Sequence, residues 1–406
     1  MLREASVPTE ATIHGWIEEV AGQGIRRPGY PADRWAEAWC QDRFRALGLE
    51  RVRAEPVAAS RWEPTAWSLV VTDPEGATTE LDCYPVPFSC TADGLEVKLV
   101  RLDADDPAVV AGRGSFTELV LLRVPADLFV RGGSAPADLT GRVVDRGASL
   151  GDVQVLPFGP TFQEVLEPSI AAGAALFVGA LGGYPGDSCR YYVPYDGIAR
   201  SLPGVWINGS DGAWLAAQLD AGTVVVRLSV RSEIVPIETY NIVGELPGAD
   251  DEVVMIGSHH DGPWASAVED GTGIALVLAQ AAYWSAQPVE SRPHRLVFVL
   301  HGGHMSGGAG LHAYIDAHRN ELSQVVLELH LEHAAQEFAE HGGTLVDAGR
   351  PVPRWWFTSR VPSLEAAVSR ALHDEGLWRS MVLAPDAIGP QPPTDGGFYT
   401  RRACRS

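Results

Sequence analysis

Between Asn241 and Leu331 the apolar residues come in short unbroken runs rather than in alternation. NIVGELPG, VVMIG, RLVFVL and VVLELHL each read as a strand covered on both faces. Between them, GIALVLAQAAYWSA (Gly273 to Ala286) has helical length and an apolar face. Strands that alternate with helices predict a parallel sheet. Nearer the N-terminus, PADRWAEAWCQDRFRALGLERVRAEPV (Pro31 to Val57) opens with Pro and Asp and places Trp35 and Trp39 at helical spacing. A β-like run follows Gly48, so this segment reads as helix then strand. From about Cys90 to Ser229 the pattern changes. ELVLLRV, GAALFVGAL, PGVWING and TVVVRLSV alternate with Gly, Pro and Asp turns, which predicts a β-rich inserted lobe. The expected fold is α/β, a mostly parallel twisted sheet flanked by helices. Its expected division is 1–90, an insertion over 91–230, and a main α/β part over 231–406.

The length of 406 residues agrees with two lobes or one large domain carrying an insertion. No stretch reaches the roughly 18 uninterrupted apolar residues that a membrane span needs. MLREASVPTEATIHGWIEEV has neither a basic leader nor an apolar core, so a cytoplasmic location is expected. Cys40, Cys83, Cys90, Cys189 and Cys404 are scattered and form no C-x-x-C, which argues against a disulfide framework or a thiolate zinc knuckle. A formal charge of -21, with Lys98 the sole lysine, leaves little to neutralise phosphates. Nucleic acid and acidic membranes are therefore not expected partners, and a neutral or cationic ligand fits better.

Ligands of open α/β sheets bind beyond the carboxyl ends of the strands. VVMIG delivers His259, His260 and Asp261 to that rim, RLVFVL delivers His301 and His304, and VVLELHL delivers His330, Glu332 and His333. A single rim histidine is more often structural. Imidazoles and carboxylates arriving from three strands are what a borderline metal such as zinc requires.

The order NIVGELPG, VVMIGSHHD, VEDGTGIALVLAQA, RLVFVLHGGHMSGGAGLHAYI, VVLELHLEH, PPTDGGFY resembles the zinc aminopeptidase and glutamate carboxypeptidase superfamily, metallopeptidase family 28. The likeness covers most of residues 235–400. The preceding stretch, with SIAAGAALFVGA and PGVWING, resembles the protease-associated domain that many members carry. The resemblance implies that His259 is a metal ligand and Asp261 the carboxylate that orients it. It puts Glu269 of EDGTG at the metal-bridging position and Glu332 of HLEH at another first-metal ligand, so His259, Glu269 and Glu332 would hold one divalent ion, zinc. The family's general base and one second-metal ligand fall on His304 and Met305, and its last ligand on Gly396. One metal position is thus expected to be kept and the second lost.

An imidazole at 304 can still act as general base or acid, or join as a fourth ligand. His260, His330 and His333 receive no role from the resemblance. If the strand continues through HLEH, His330 and Glu332 share a face and His333 points to the other. Family members continue past the TDGGFY region with a strand and a closing helix, whereas this chain stops at TRRACRS. An exposed sheet edge, covered by a homo-oligomer, is the expectation. The expected activity is that of an aminopeptidase-like hydrolase acting on a small peptide or amide. The rivals are a non-catalytic binding module, and lyase, cyclase or redox chemistry on a small metabolite.

Overall fold

The computed structural model describes residues 7–125, 142–144, 152–155, 160–377, 379–386 and 394–403. Cys404 and parts of the 91–230 stretch lie outside these residues. Helix α1 (Glu10–Ala21) starts where Thr9 accepts the N–H of Thr12, and α2 (Pro31–Ala46) starts on a proline. Then come β1 (Glu50–Thr72), β2 (Thr78–Leu81), β3 (Cys83–Pro85), β4 (Ala92–Arg101), β5 (Gly114–Val120), β6 (Leu122–Pro125), β7 (Arg142–Val144) and β8 (Asp152–Val155). They are followed by α3 (Pro160–Ala171), β9 (Leu176–Gly182), β10 (Gly204–Asn208), α4 (Gly209–Ala221) and β11 (Val224–Leu246). The site-bearing half has β12 (Val253–His259), α5 (Gly273–Ser285), β13 (Arg295–His301), α6 (Ala309–Ala317) and β14 (Val325–His330). It closes with a hairpin, β15 (Gln336–His341) and β16 (Thr344–Pro351), then β17 (Arg354–Phe357), α7 (Pro362–Asp374), β18 (Ser380–Leu383) and α8 (Gly396–Ala403).

One eleven-stranded sheet runs β14-β12-β13-β11-β4-β5-β9-β10-β3, with β1 along β11 and β2 on β1. It is mixed. β14, β12 and β13 are parallel to one another, as are β4, β5, β9 and β10, and β11, antiparallel to β13 and to β4, joins the two groups. A 23-residue strand extends about 75 Å, long enough to run through both groups. The expected boundary at 230/231 falls inside β11, which pairs with β4 at its start and with β13 at its end.

Alternation along β13 fills both faces of the site-bearing half. Leu296, Phe298 and Leu300 pack with Phe44, Ile274 and Leu278, while Val297 and Val299 pack with Leu311, Tyr314 and Ile315. Burial of each such side chain contributes roughly 1.5–3 kcal/mol. The parallel register sets His259 beside His301 and Gly257 beside His330, so β12 and β13 end together and β14 ends two residues earlier. Among the described residues no helix is long and apolar enough to cross a membrane. Cys40, Cys83, Cys90 and Cys189 are free thiols.

Candidate metal centre

His259 is the last residue of β12 and is fully buried. Its Nδ1–H donates to the backbone carbonyl of Asp261 at 2.9 Å, which turns Nε2 toward Glu269. Nε2 faces Glu269 Oε1 at 3.4 Å, an ion-pair distance rather than a well-formed hydrogen bond. Glu269 precedes α5 and is joined to Asp270 by a cis peptide bond. Asp270 turns inward, accepting from the Ser258 hydroxyl and, at 2.9 Å, from the N–H of Gly273.

His304 comes from the turn after β13. Its ring stacks on that of His259, centroids 4.0 Å apart and planes 9° from parallel, and Tyr195 stacks on its other side at 5.4 Å. Its Nδ1–H donates to Asp395 Oδ1 at 2.8 Å, and its Nε2 lies 3.9 Å from Glu269 Oε1. His259, Glu269 and His304 thus bring donor atoms within 4.8 Å of one another. Zinc bonds of about 2.1 Å at tetrahedral angles put donors about 3.4 Å apart, so seating an ion on both imidazoles requires the stacked rings to turn until both Nε2 lone pairs converge.

From His304 the polar groups continue as alternating carboxylates and imidazoles. Glu269 Oε2 meets His333 Nε2, which lies 3.5 Å from Glu332 Oε2. Glu332 Oε1 is 3.0 Å from His330 Nε2, and His330 Nδ1 is 3.5 Å from Glu328 Oε1. This pairing sets the charge states. Burial opposes ionisation of Glu269 and Glu332, but the neighbouring imidazoles outweigh it and hold both below the usual carboxylate range. Burial likewise opposes charge on His304 and His333, yet Asp395 beside the first and Glu269 beside the second push them up to about 10 and about 9.

The placements differ from the sequence expectations at several residues. Of the expected ligands, His259 and Glu269 meet, and His304 joins them in place of Glu332, which stands one imidazole further along. His333 touches the same carboxylate as His330 because β14 ends at His330 and His333 turns with φ 56°, so strand alternation does not reach it. The orienting contact expected from the Asp261 carboxylate is made by its backbone. The carboxylate, 3.9 Å from His259 Nδ1, instead accepts the N–H groups of His304 at 3.0 Å and Met305 at 2.7 Å.

The Met305 side chain is buried among Trp62, Tyr84, Phe88 and Tyr192. A Cβ at Gly396 would come 2.8 Å from His330 Cβ. His301 is structural: burial pushes it down to about 3, and it lies between Asn241 Oδ1 and the Tyr399 hydroxyl. His260 faces away, 3.1 Å from Asp33. Asp395 and Tyr195 were not expected. TDGGFY pointed to Gly396, and Asp395 beside it received no role.

Two imidazoles and one carboxylate form a donor set found in catalytic zinc sites. The fit is supported by unmet valences. His259 Nε2 and Asp395 Oδ2 are buried without a hydrogen-bond partner. Such groups cost about 1–3 kcal/mol each, which a cation would relieve where it reaches them.

Residues 241–341 match the model of peptidase family M28. A probable leucine aminopeptidase 2 of Aspergillus fumigatus is 32% identical over 165 residues, which is 36% of this chain and 28% of the fungal protein. Leucine aminopeptidase 2 of Arthroderma otae is 33% identical over 111 residues, 27% of this chain and 21% of that protein. The chain therefore matches under a third of the length of these curated relatives. A peptidase M28 precursor from Shewanella amazonensis has TM-score 0.69 at 19% identity, with 97% of this chain and 82% of that one covered. A zinc aminopeptidase from Bacillus subtilis has TM-score 0.66 at 15% identity, with the same coverage. At such identities the likeness is one of fold. Motif order, family match and architecture agree: this chain has the zinc-aminopeptidase fold and carries peptidase family M28 sequence across its candidate metal centre.

Proposed function

We propose that the protein is an aminopeptidase-like hydrolase that holds one divalent ion and cleaves the amide bond of a small peptide or amide. The convergence of His259 Nε2, Glu269 Oε1 and His304 Nε2 at the sheet's carboxyl rim carries this reading. These three residues are the proposed ligands, and zinc is the ion their chemistry suits. When bound, the ion supplies Lewis acidity to a substrate carbonyl and to water. Asp261 fixes the His259 tautomer through its backbone and the His304 turn through its carboxylate. Asp395 holds the Nδ1 proton of His304, so that Nε2 is the atom turned to Glu269. Glu332, kept ionised by His330 and His333, is the carboxylate offered as proton acceptor in place of the family's usual base.

A single ion is supported by the apolar packing of Met305 and by the closeness of His330 to Gly396. Two imidazoles and a carboxylate also suit ferrous iron, so metal analysis decides between hydrolysis and a redox reading. The test is a panel of aminoacyl anilides with chelator and metal add-back. Turnover that a chelator abolishes and one equivalent of zinc restores is expected. Glu332→Gln should keep the ion and lose turnover, whereas loss of the ion would return Glu332 to a ligand role. A chain that binds an ion but turns over no anilide is a repurposed scaffold.

A further inference from the structure

The segment between α1 and α2 grips the loop that carries Glu269. Arg26 is fully buried. Its N–H donates to the carbonyl of Trp264 at 2.9 Å, and its own carbonyl accepts the N–H of Gly262 at 2.9 Å. Its guanidinium donates from Nε to the His260 carbonyl at 2.7 Å, from Nη1 to Ala265 at 2.7 Å and from Nη2 to Ser266 at 2.9 Å. The Ser266 carbonyl also accepts the N–H of Gly271 at 3.2 Å, closing the loop around Glu269. Ser266 itself sits at φ 54°, a left-handed conformation uncommon for a residue with a side chain. At Gly262 a Cβ would run into the Glu269 carbonyl oxygen, so the two arms of the loop touch. Arg27 adds a bond from Nε to the Pro263 carbonyl at 2.8 Å and lies over Tyr192 and Trp264 at 4.3 and 4.6 Å.

We infer that Arg26 is the positioning residue of the metal centre: by holding three carbonyls of the 260–266 loop with one planar group, it sets the place of Glu269 relative to His259 and thereby the affinity for the ion. The inference rests on the cation-binding reading above. A guanidinium suits the task because its donors leave in fixed directions in one plane, whereas a lysine ammonium is a compact charge on a flexible stem. Burial penalises its charge, and the fields of Asp270, Asp261 and Asp33 oppose that penalty. Arg26 is therefore also a fixed positive charge behind the acidic loop.

The test is cobalt(II) titration of the full chain, read by visible absorption, for the unmodified protein, Arg26→Lys and Arg26→Met, with circular dichroism as a check on folding. Arg26→Met is expected to weaken cobalt binding about 10–100-fold, the range typical of outer groups that orient metal ligands. It should also change the band shape at saturation, which a general loss of stability would not do. Arg26→Lys should fall between the two and carries the comparison if Arg26→Met does not fold. Affinity and spectrum unchanged in a folded variant would overturn the role of Arg26 alone. An unmodified protein that binds no cobalt would overturn the cation-binding reading and this inference with it.

Discussion

The two nitrogens of His304 have different duties. Nδ1–H donates a hydrogen bond to Asp395, and Nε2 faces Glu269, so an arriving cation competes with a proton only at Nε2. Burial disfavours the charged ring, but Asp395 and Glu269 outweigh it and push the group up to about 10. The ring is therefore charged at neutral pH in the ion-free protein, the ion must displace a proton, and affinity rises with pH. Zinc titrations between about pH 6.5 and 8.5 should strengthen by at least about tenfold per unit, with at least about one proton released because His259 is raised as well, as calorimetry in buffers of different ionisation enthalpy would show. A flat profile would mean that His304 is not a ligand. Asp395→Asn should flatten that slope, because without the carboxylate the His304 ring gives up its proton at lower pH and competition with the ion fades. His259 and Glu269 were legible because their neighbours form ordered motifs. Asp395 and Tyr195 were not, since each reaches the site through tertiary packing that no local spacing records.

The elements divide in the same way. β12 and β13 are continuous apolar runs covered on both faces, and α5 is a long apolar segment between them, so they were readable without coordinates. The run VVLELHL, expected to be covered likewise, is instead the edge strand β14, which leaves Val326 and Leu329 exposed. The 23-residue β1 was not, because Pro56 and Pro64 interrupt it and proline cannot donate to a ladder. The fold accommodates Pro64 with a register shift against β11 between Pro64 and Ala66. This long ribbon is braced against α6 by His318, which follows the helix and lies 2.9 Å from Glu55 on β1. The hydrogen bond to Glu55 raises His318 above its ordinary 6.5 despite partial burial. A raised folded value means that the pair stabilises fully below about pH 6.5 and fades as pH climbs through the folded value. His318→Gln should therefore cost about 1 kcal/mol in urea unfolding near pH 6 and less near pH 9. An equal cost at both would show that the contact acts by packing alone.

Across the whole molecule, 52 acidic residues stand against 31 basic ones. A field of that sign steers cations toward the surface and is screened by salt. For aminoacyl anilides with a free amine, kcat/KM should fall severalfold on going from low to about physiological ionic strength, with kcat little changed. N-acetylated analogues should show no such loss, and equal salt dependence for both would remove the argument for a cationic substrate. The architecture is carried by hydrophobic pattern and was legible, whereas the ion's coordination depends on a few ångströms of loop placement and was only partly so. Calorimetric titration of chelator-treated protein with zinc, alongside Glu269→Ala, tests the centre most directly. The account predicts about one equivalent bound, and at least about 100-fold weaker binding when Glu269 is lost. Fewer than about 0.2 equivalents, or binding that is indifferent to Glu269, would contradict it.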